Sequence, residues 1–111
     1  MKRHILIIDD DTILLKILST VLISEGYHVT TKKNLKIKSL NGVNSDLILI
    51  DLWLTDDTTS LPIIKKIKTP FVLMSADPDL DFICKKNKIK HYLKKPFSIE
   101  DLIFEINYFF N

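Results

Sequence analysis

The chain has a single cysteine and a single tryptophan in 111 residues. Cys84 standing alone excludes an internal disulfide and suits a reducing compartment. No apolar run approaches the roughly 18 residues a membrane helix requires, because Asp or Lys interrupts each one. The basic start "MKRHILII" loses its apolar character at Asp9, too early for a secretory leader. Charge of one sign is also lacking: the net value of +2 argues neither for nor against a polyanionic partner. Lysines gather in the C-terminal half (Lys65, Lys66, Lys68, Lys85, Lys86, Lys88, Lys90, Lys94, Lys95) and read as solvated helix and loop faces. No aromatic residues interleave with them, as a single-strand nucleic-acid surface needs. His4, His28 and His91 are scattered singly and predict no metal site. Repeats and low-complexity segments are missing as well. What remains is a small cytoplasmic protein, one domain over residues 1–111, with too little chain for a second core.

The apolar residues that are present alternate between two periodicities. "RHILIID" is a short β-branched run bounded by acids and reads as a buried strand. "TILLKILSTVLISEG" places Ile13, Leu14, Ile17, Leu18, Val21 and Leu22 at helical spacing, with Gly26 as the C-cap candidate. "YHVTT" is a second strand, and "KKNLKIKSLNGVNS" holds a short helix at Leu35 to Leu40 before a turn at Asn41-Gly42. "DLILIDLWL" is a third strand ending near Asp51, followed by the loop "TDDTTS" and a helix "LPIIKKIK" with Pro62 in its first turn. "TPFVLMSA" is strand four, and "DPDLDFICKKNK" a short helix starting near Pro78 that keeps Cys84 on its core stripe. "IKHYLKKPF" is strand five, stopped by Pro96, and "SIEDLIFEINYFF" closes as a helix with a Ser98–Asp101 capping box.

Strand and helix thus alternate five times. Continuous apolar strands alternating with helices predict an α/β fold with a parallel sheet covered on both faces, doubly wound by right-handed crossovers. In such sheets ligands bind beyond the carboxyl ends of the strands. Those ends carry Asp9, Asp10 and Asp11 on strand one and Asp51 on strand three. Strand four ends in Ser75 and strand five in Lys95-Pro96. Clustered carboxylates raise one another's pKa and are costly alone, but become favourable around Mg²⁺, a hard cation held by one or two carboxylates. An Asp beside such an ion can accept a phosphoryl group. A lysine neutralises phosphoryl oxygens, and a hydroxyl can hydrogen-bond one of them. Asp11 reads instead as local support for the helix that follows.

The four segments "ILIIDDD", "LILIDLWL", "VLMSA" and "YLKKPF" resemble the signature segments of bacterial response-regulator receiver domains, in that family's order and over essentially the whole chain. The resemblance implies a flavodoxin-like (βα)5 fold with strand order 2-1-3-4-5, acting as a two-component signalling switch and not as a conventional enzyme. It implies Asp51 as phosphoacceptor, Asp10 as a direct Mg²⁺ ligand and Asp9 as its neighbour acting through a metal-bound water. The main-chain carbonyl of Trp53 would be the third protein ligand. Ser75 matches the switch hydroxyl, Lys95 the phosphoryl-stabilising lysine, Pro96 a cis-proline candidate, and Tyr92 the aromatic that turns inward on activation. A histidine kinase, phosphotransfer protein or small donor would supply the phosphoryl group. The face formed by helix four, strand five and helix five would then change and signal to a downstream protein. The implied regulator is a monomer or a phosphorylation-dependent dimer, without direct nucleic-acid or membrane contact. With no room for an output domain after Asn111, a stand-alone type is expected.

The chain departs from the family pattern in the loop after Asp51, which here runs "LTDDTTSLP" with no Gly and no Pro after Leu54. Helix two is shortened, and Trp53 is bulky beside the acceptor, where it is expected to restrict access of water or a phosphatase and so alter the phosphoryl lifetime. Two other readings compete. A receiver-like interaction module would keep the fold without phosphorylation. A haloacid-dehalogenase-like phosphatase would use Asp9 as nucleophile in "DDDTI", although Ile13 stands where Thr or Val is expected and Asp51 would then have no role.

Overall fold

A computed structural model describes residues 2–33 and 44–110. Among the described residues nine elements follow in order: β1 (His4–Ile8), α1 (Thr12–Ser24), β2 (His28–Lys32), β3 (Leu47–Asp51), α2 (Leu61–Ile64), β4 (Phe71–Ser75), α3 (Leu80–Lys86), β5 (Tyr92–Lys94) and α4 (Ile99–Phe110). The helix expected at Leu35 to Leu40 and the turn at Asn41-Gly42 lie outside the described residues. In the five-fold alternation read from the sequence, α3 and α4 correspond to the expected fourth and fifth helices.

The strands form one parallel sheet in the order β2-β1-β3-β4-β5. Successive side chains on a strand point to opposite faces, and both faces are covered. Ile5 and Ile7 of β1 pack with Leu15, Leu18 and Leu22 of α1 and with Leu102 and Ile106 of α4. Leu6 and Ile8 face the other way, onto a core with Ile64, Leu80 and Cys84 from α2 and α3. This two-sided burial is why β3 is apolar from Leu47 through Ile50 and fully buried.

Helix ends follow local chemistry. Asp11 caps α1, its carboxylate accepting from the Ile13 and Leu14 amides. At the other end Gly26 takes a positive φ of 97°. Its N–H reaches the Ile23 carbonyl while that of Tyr27 reaches Leu22, the paired bonds of a Schellman stop. Ser98 and Asp101 form the capping box of α4, with Ser98 Oγ accepting the Asp101 N–H at 3.0 Å.

The apolar stripe of α1 is wider than its buried face: Leu15, Leu18 and Leu22 meet the sheet, while Ile13 and Ile17 stay 73% and 50% exposed. A helix apolar nearly all round can bury only the side turned to the strands. One expectation is corrected: the helix read over "LPIIKKIK" is only Leu61–Ile64, because Ile63 and Ile64 are its only buried residues and so short an apolar face sustains no further turn.

Candidate functional site

In this strand order β1 lies between β2 and β3, so the chain leaves β1 and β3 on opposite sides of a crevice at their carboxyl ends. Asp9 follows β1 directly and remains paired to the sheet through its N–H and the Lys32 carbonyl. Asp51 is the last residue of β3, and Ser75 the last of β4. Lys95 follows β5, its N–H donating to the Ser75 carbonyl at 2.8 Å. Four separated stretches therefore converge because neighbouring strands end in register.

Carboxylate oxygens of Asp9, Asp10 and Asp51 all lie within 4.8 Å of one another. Asp9 is buried and both its oxygens are engaged. One accepts the Asp11 N–H at 2.9 Å and the other takes the Lys95 ammonium at 2.6 Å. Lys95 Nζ also stands 3.7 Å from Asp51 Oδ1. Asp10 is exposed. Three carboxylates face one ammonium, which leaves the cluster with an uncompensated negative charge.

Asp51 carries the electrostatic consequence. Burial pushes its carboxyl up to about 6; the Lys95 charge pulls it back, Asp9 raises it, a hydrogen bond from the Trp53 backbone amide lowers it, and Asp10 raises it again. The residue is held firmly for all that. The buried Ser60 hydroxyl donates to the Asp51 carbonyl at 2.8 Å, and the Ser60 amide donates to the Leu52 carbonyl at 2.7 Å.

The expected residues do not all converge. Asp9, Asp10, Asp51 and Lys95 meet at the crevice, with Ser75 on the adjoining strand end. Ser75 is buried, and its Oγ accepts the Asp77 N–H at 3.0 Å. Tyr92 is turned away, its hydroxyl donating to Asp81 Oδ1 on α3 at 2.9 Å. The Trp53 side chain leans over the adjoining loop, its indole N–H donating to Asp77 Oδ2 at 3.0 Å. The Lys95–Pro96 peptide bond is cis. Sequence reading missed Ser60, Asp77 and Asp81, which hold Asp51, Trp53 and Tyr92. Only Asp77 left a trace, in the turn-forming "DPD" whose Asp79 N–H folds back to Asp77 Oδ1 at 2.8 Å.

Three converging carboxylates match the hard oxygen donor set that a small divalent cation prefers, and a bound cation would relieve their mutual repulsion. Beside the cluster, an apolar groove of about 410 Å³ runs between α1 and the turn after β5, lined by Leu14, Ile17, Pro96 and Ile99.

Comparison with known proteins agrees with this arrangement. The family model described as "Response regulator receiver domain" matches residues 5–107. The nisin biosynthesis regulatory protein NisR of Lactococcus lactis is 33% identical over 96% of this chain and 49% of its own length. The response regulator SaeR of Staphylococcus epidermidis is 30% identical over 94% of this chain and 48% of its own. The chain thus spans about half the length of the curated relatives it matches. A two-component response regulator from Clostridium difficile superposes with a TM-score of 0.84 at 24% identity, covering 98% of this chain and 96% of that one. The chemotaxis protein CheY4 of Vibrio cholerae gives 0.80 at 20% identity over 97% and 98%. The match over residues 5–107, joined to these relatives, settles the family: the chain is a member of the response regulator receiver domains.

Proposed function

We propose that this domain accepts a phosphoryl group on Asp51 and relays that event as a change of surface. The observation that carries the reading is the placement of Asp51: a buried carboxylate at a strand end, within ion-pair reach of Lys95 and inside a three-carboxylate cluster. Asp10 and Asp51, with the Trp53 carbonyl, would hold Mg²⁺, while Asp9, already committed to Lys95 and the Asp11 amide, would act from outside. When bound, Mg²⁺ would supply charge neutralisation for the transferring phosphoryl oxygens.

The chain's own residues do the rest. An Asp51 carboxylate oxygen forms the new O–P bond in line with the donor, and the donor's bond to phosphorus breaks with its electron pair leaving on the donor atom. Lys95 stands where it can follow the developing phosphoryl charge. Ser75 and Tyr92 are the groups that would move once the phosphoryl is in place, biasing an equilibrium between two arrangements of the α3–β5–α4 face. A protein donor, a histidine kinase or phosphotransfer protein, would approach past the groove beside Lys95, where Leu14 and Ile17 give it apolar surface. The output in this reading is contact with a downstream protein.

The phosphatase reading is disfavoured by Asp9 itself, whose carboxylate is enclosed and occupied by Lys95 and the Asp11 amide. The deciding experiment is incubation with Mg²⁺ and acetyl phosphate followed by intact mass. One phosphoryl adduct is expected on the parent protein and none on Asp51→Asn. No adduct with any donor would leave an interaction module, and an adduct that survives Asp51→Asn would point to a different acceptor.

A further inference from the structure

Trp53 is fixed from both sides. It pairs with Thr59 in an isolated antiparallel bridge, and the loop between them closes on itself through the Leu54 N–H and the Thr58 carbonyl at 2.9 Å. The Ser60 amide bond to Leu52 anchors the base of that loop. Its indole N–H, offered from this rigid platform, reaches Asp77 Oδ2 at 3.0 Å across the crevice. The other oxygen of Asp77 takes the Asp79 N–H at 2.8 Å, so the carboxylate is oriented and its charge is used; both bonds hold its pKa down. The backbone N–H of the same Asp77 then donates to Ser75 Oγ at 3.0 Å. The chain of contacts runs from the residue two after Asp51 to the hydroxyl at the end of β4.

We propose that the Trp53 indole, acting through Asp77, is a positioning clasp that keeps the Ser75 hydroxyl on the Asp77 amide and away from Asp51. The inference rests on the phosphoacceptor reading. In the proposed switch the Ser75 oxygen leaves the Asp77 amide to reach a phosphoryl group on Asp51, and the segment from Ala76 to Asp79 shifts with it. While the indole holds the Asp77 carboxylate, that shift costs a charge-assisted hydrogen bond. The clasp therefore weights the equilibrium toward the arrangement seen here, and reduces apparent affinity for any group that needs the other.

The test uses Trp53→Phe, which keeps a large ring on the apolar platform and deletes the donor. Beryllofluoride with Mg²⁺ serves as the tetrahedral phosphoryl-shaped probe. Titrations of the whole chain are followed by the ¹H–¹⁵N signal of Lys95, whose amide reports on the end of β4. Trp53→Phe is expected to bind the probe about three- to tenfold more tightly than the parent, the worth of one released hydrogen bond. Asp77→Ala, which retains the indole, is expected to tighten similarly and to shift Trp53 emission to the red. A merely structural Trp53 predicts the reverse sign, since lost packing weakens the site. If the parent responds and Trp53→Phe binds equally or more weakly, the clasp is overturned alone. If the parent itself gives no response, the phosphoacceptor reading fails and the clasp falls with it.

Discussion

The two faces of the sheet are built differently. On one side lie α1 and α4, of 13 and 12 residues, each begun by a side-chain cap. On the other, among the described residues, lie α2 and α3, of four and seven residues, with no side-chain hydrogen bond at either N-cap. Helices of one or two turns have little intrinsic stability and depend on what they pack against. The short-helix face is also where the clasps sit: Trp53 to Asp77, Tyr92 to Asp81, Ser60 to Asp51. One face is a frame of long capped helices, and the other adds to its apolar core individual hydrogen bonds between loops and side chains. A switch needs both, since movement must be confined to one side while the acceptor stays in place.

The largest expected effect tests this contrast directly. Leu22→Ala empties a fully buried position in α1 against β1, and is expected to cost about 3–5 kcal/mol in urea unfolding. Ile64→Ala, at the end of the four-residue α2, is expected to cost about 2 kcal/mol or less, because a short element can collapse into the space. Native-state hydrogen exchange should likewise show α3 opening at lower free energy than α1. Equal costs for the two substitutions, with equal protection, would mean that the faces are equally rigid.

A second effect concerns the acceptor and varies in size with pH. The folded-state pKa of Asp51 is raised to about 6, chiefly by burial, so its ionised form opposes folding. The penalty is nil below the unfolded carboxylate pKa, grows as pH rises toward 6, and is complete above it. Without Mg²⁺, Asp51→Asn is therefore expected to raise the melting temperature at pH 7.5 by several degrees, on the order of 1–2 kcal/mol after allowance for solvent screening. The gain should shrink at pH 5, where the parent Asp51 is largely protonated. A gain that is constant across this range would show that Asp51 titrates normally. Parent Mg²⁺ affinity, read by Trp53 fluorescence, should fall over the same interval.

The contrast between the faces also explains what could be read from the sequence. Strand runs such as "ILII" and "LILI" betray burial on both sides, and their terminal acids mark the carboxyl edge. The frame was legible too, because Asp11, Gly26 and the Ser98–Asp101 pair are local signals of helix ends. The clasps were not. Asp77 and Asp81 look like ordinary acids near a helix start, and their partners lie 24 and 11 residues away in sequence. Ser60 is one hydroxyl in a polar loop, and only the path of the chain back under β3 buries it against the Asp51 carbonyl. Periodicity reports burial and local chemistry reports caps, but a hydrogen bond between two loops follows from neither.

The smallest expected effect separates the faces at their helix starts. Asp11 precedes α1 and Asp79 precedes α3, so the two look equivalent in sequence. Asp11 Oδ1 accepts from the Ile13 and Leu14 amides at 3.0 and 3.1 Å, whereas the Asp79 side chain makes no capping bond. Asp11→Ala should then cost about 1 kcal/mol in chemical unfolding, and Asp79→Ala should fall within about 0.5 kcal/mol of the parent. The Asp79 amide bond to Asp77 survives that substitution, so the α3 start loses nothing it was using. A cost at Asp79 equal to that at Asp11 would show that α3 is capped in solution and stands nearer to the frame than its hydrogen bonds indicate. A negligible cost at both would remove capping from the distinction, leaving helix length and packing to separate the two faces.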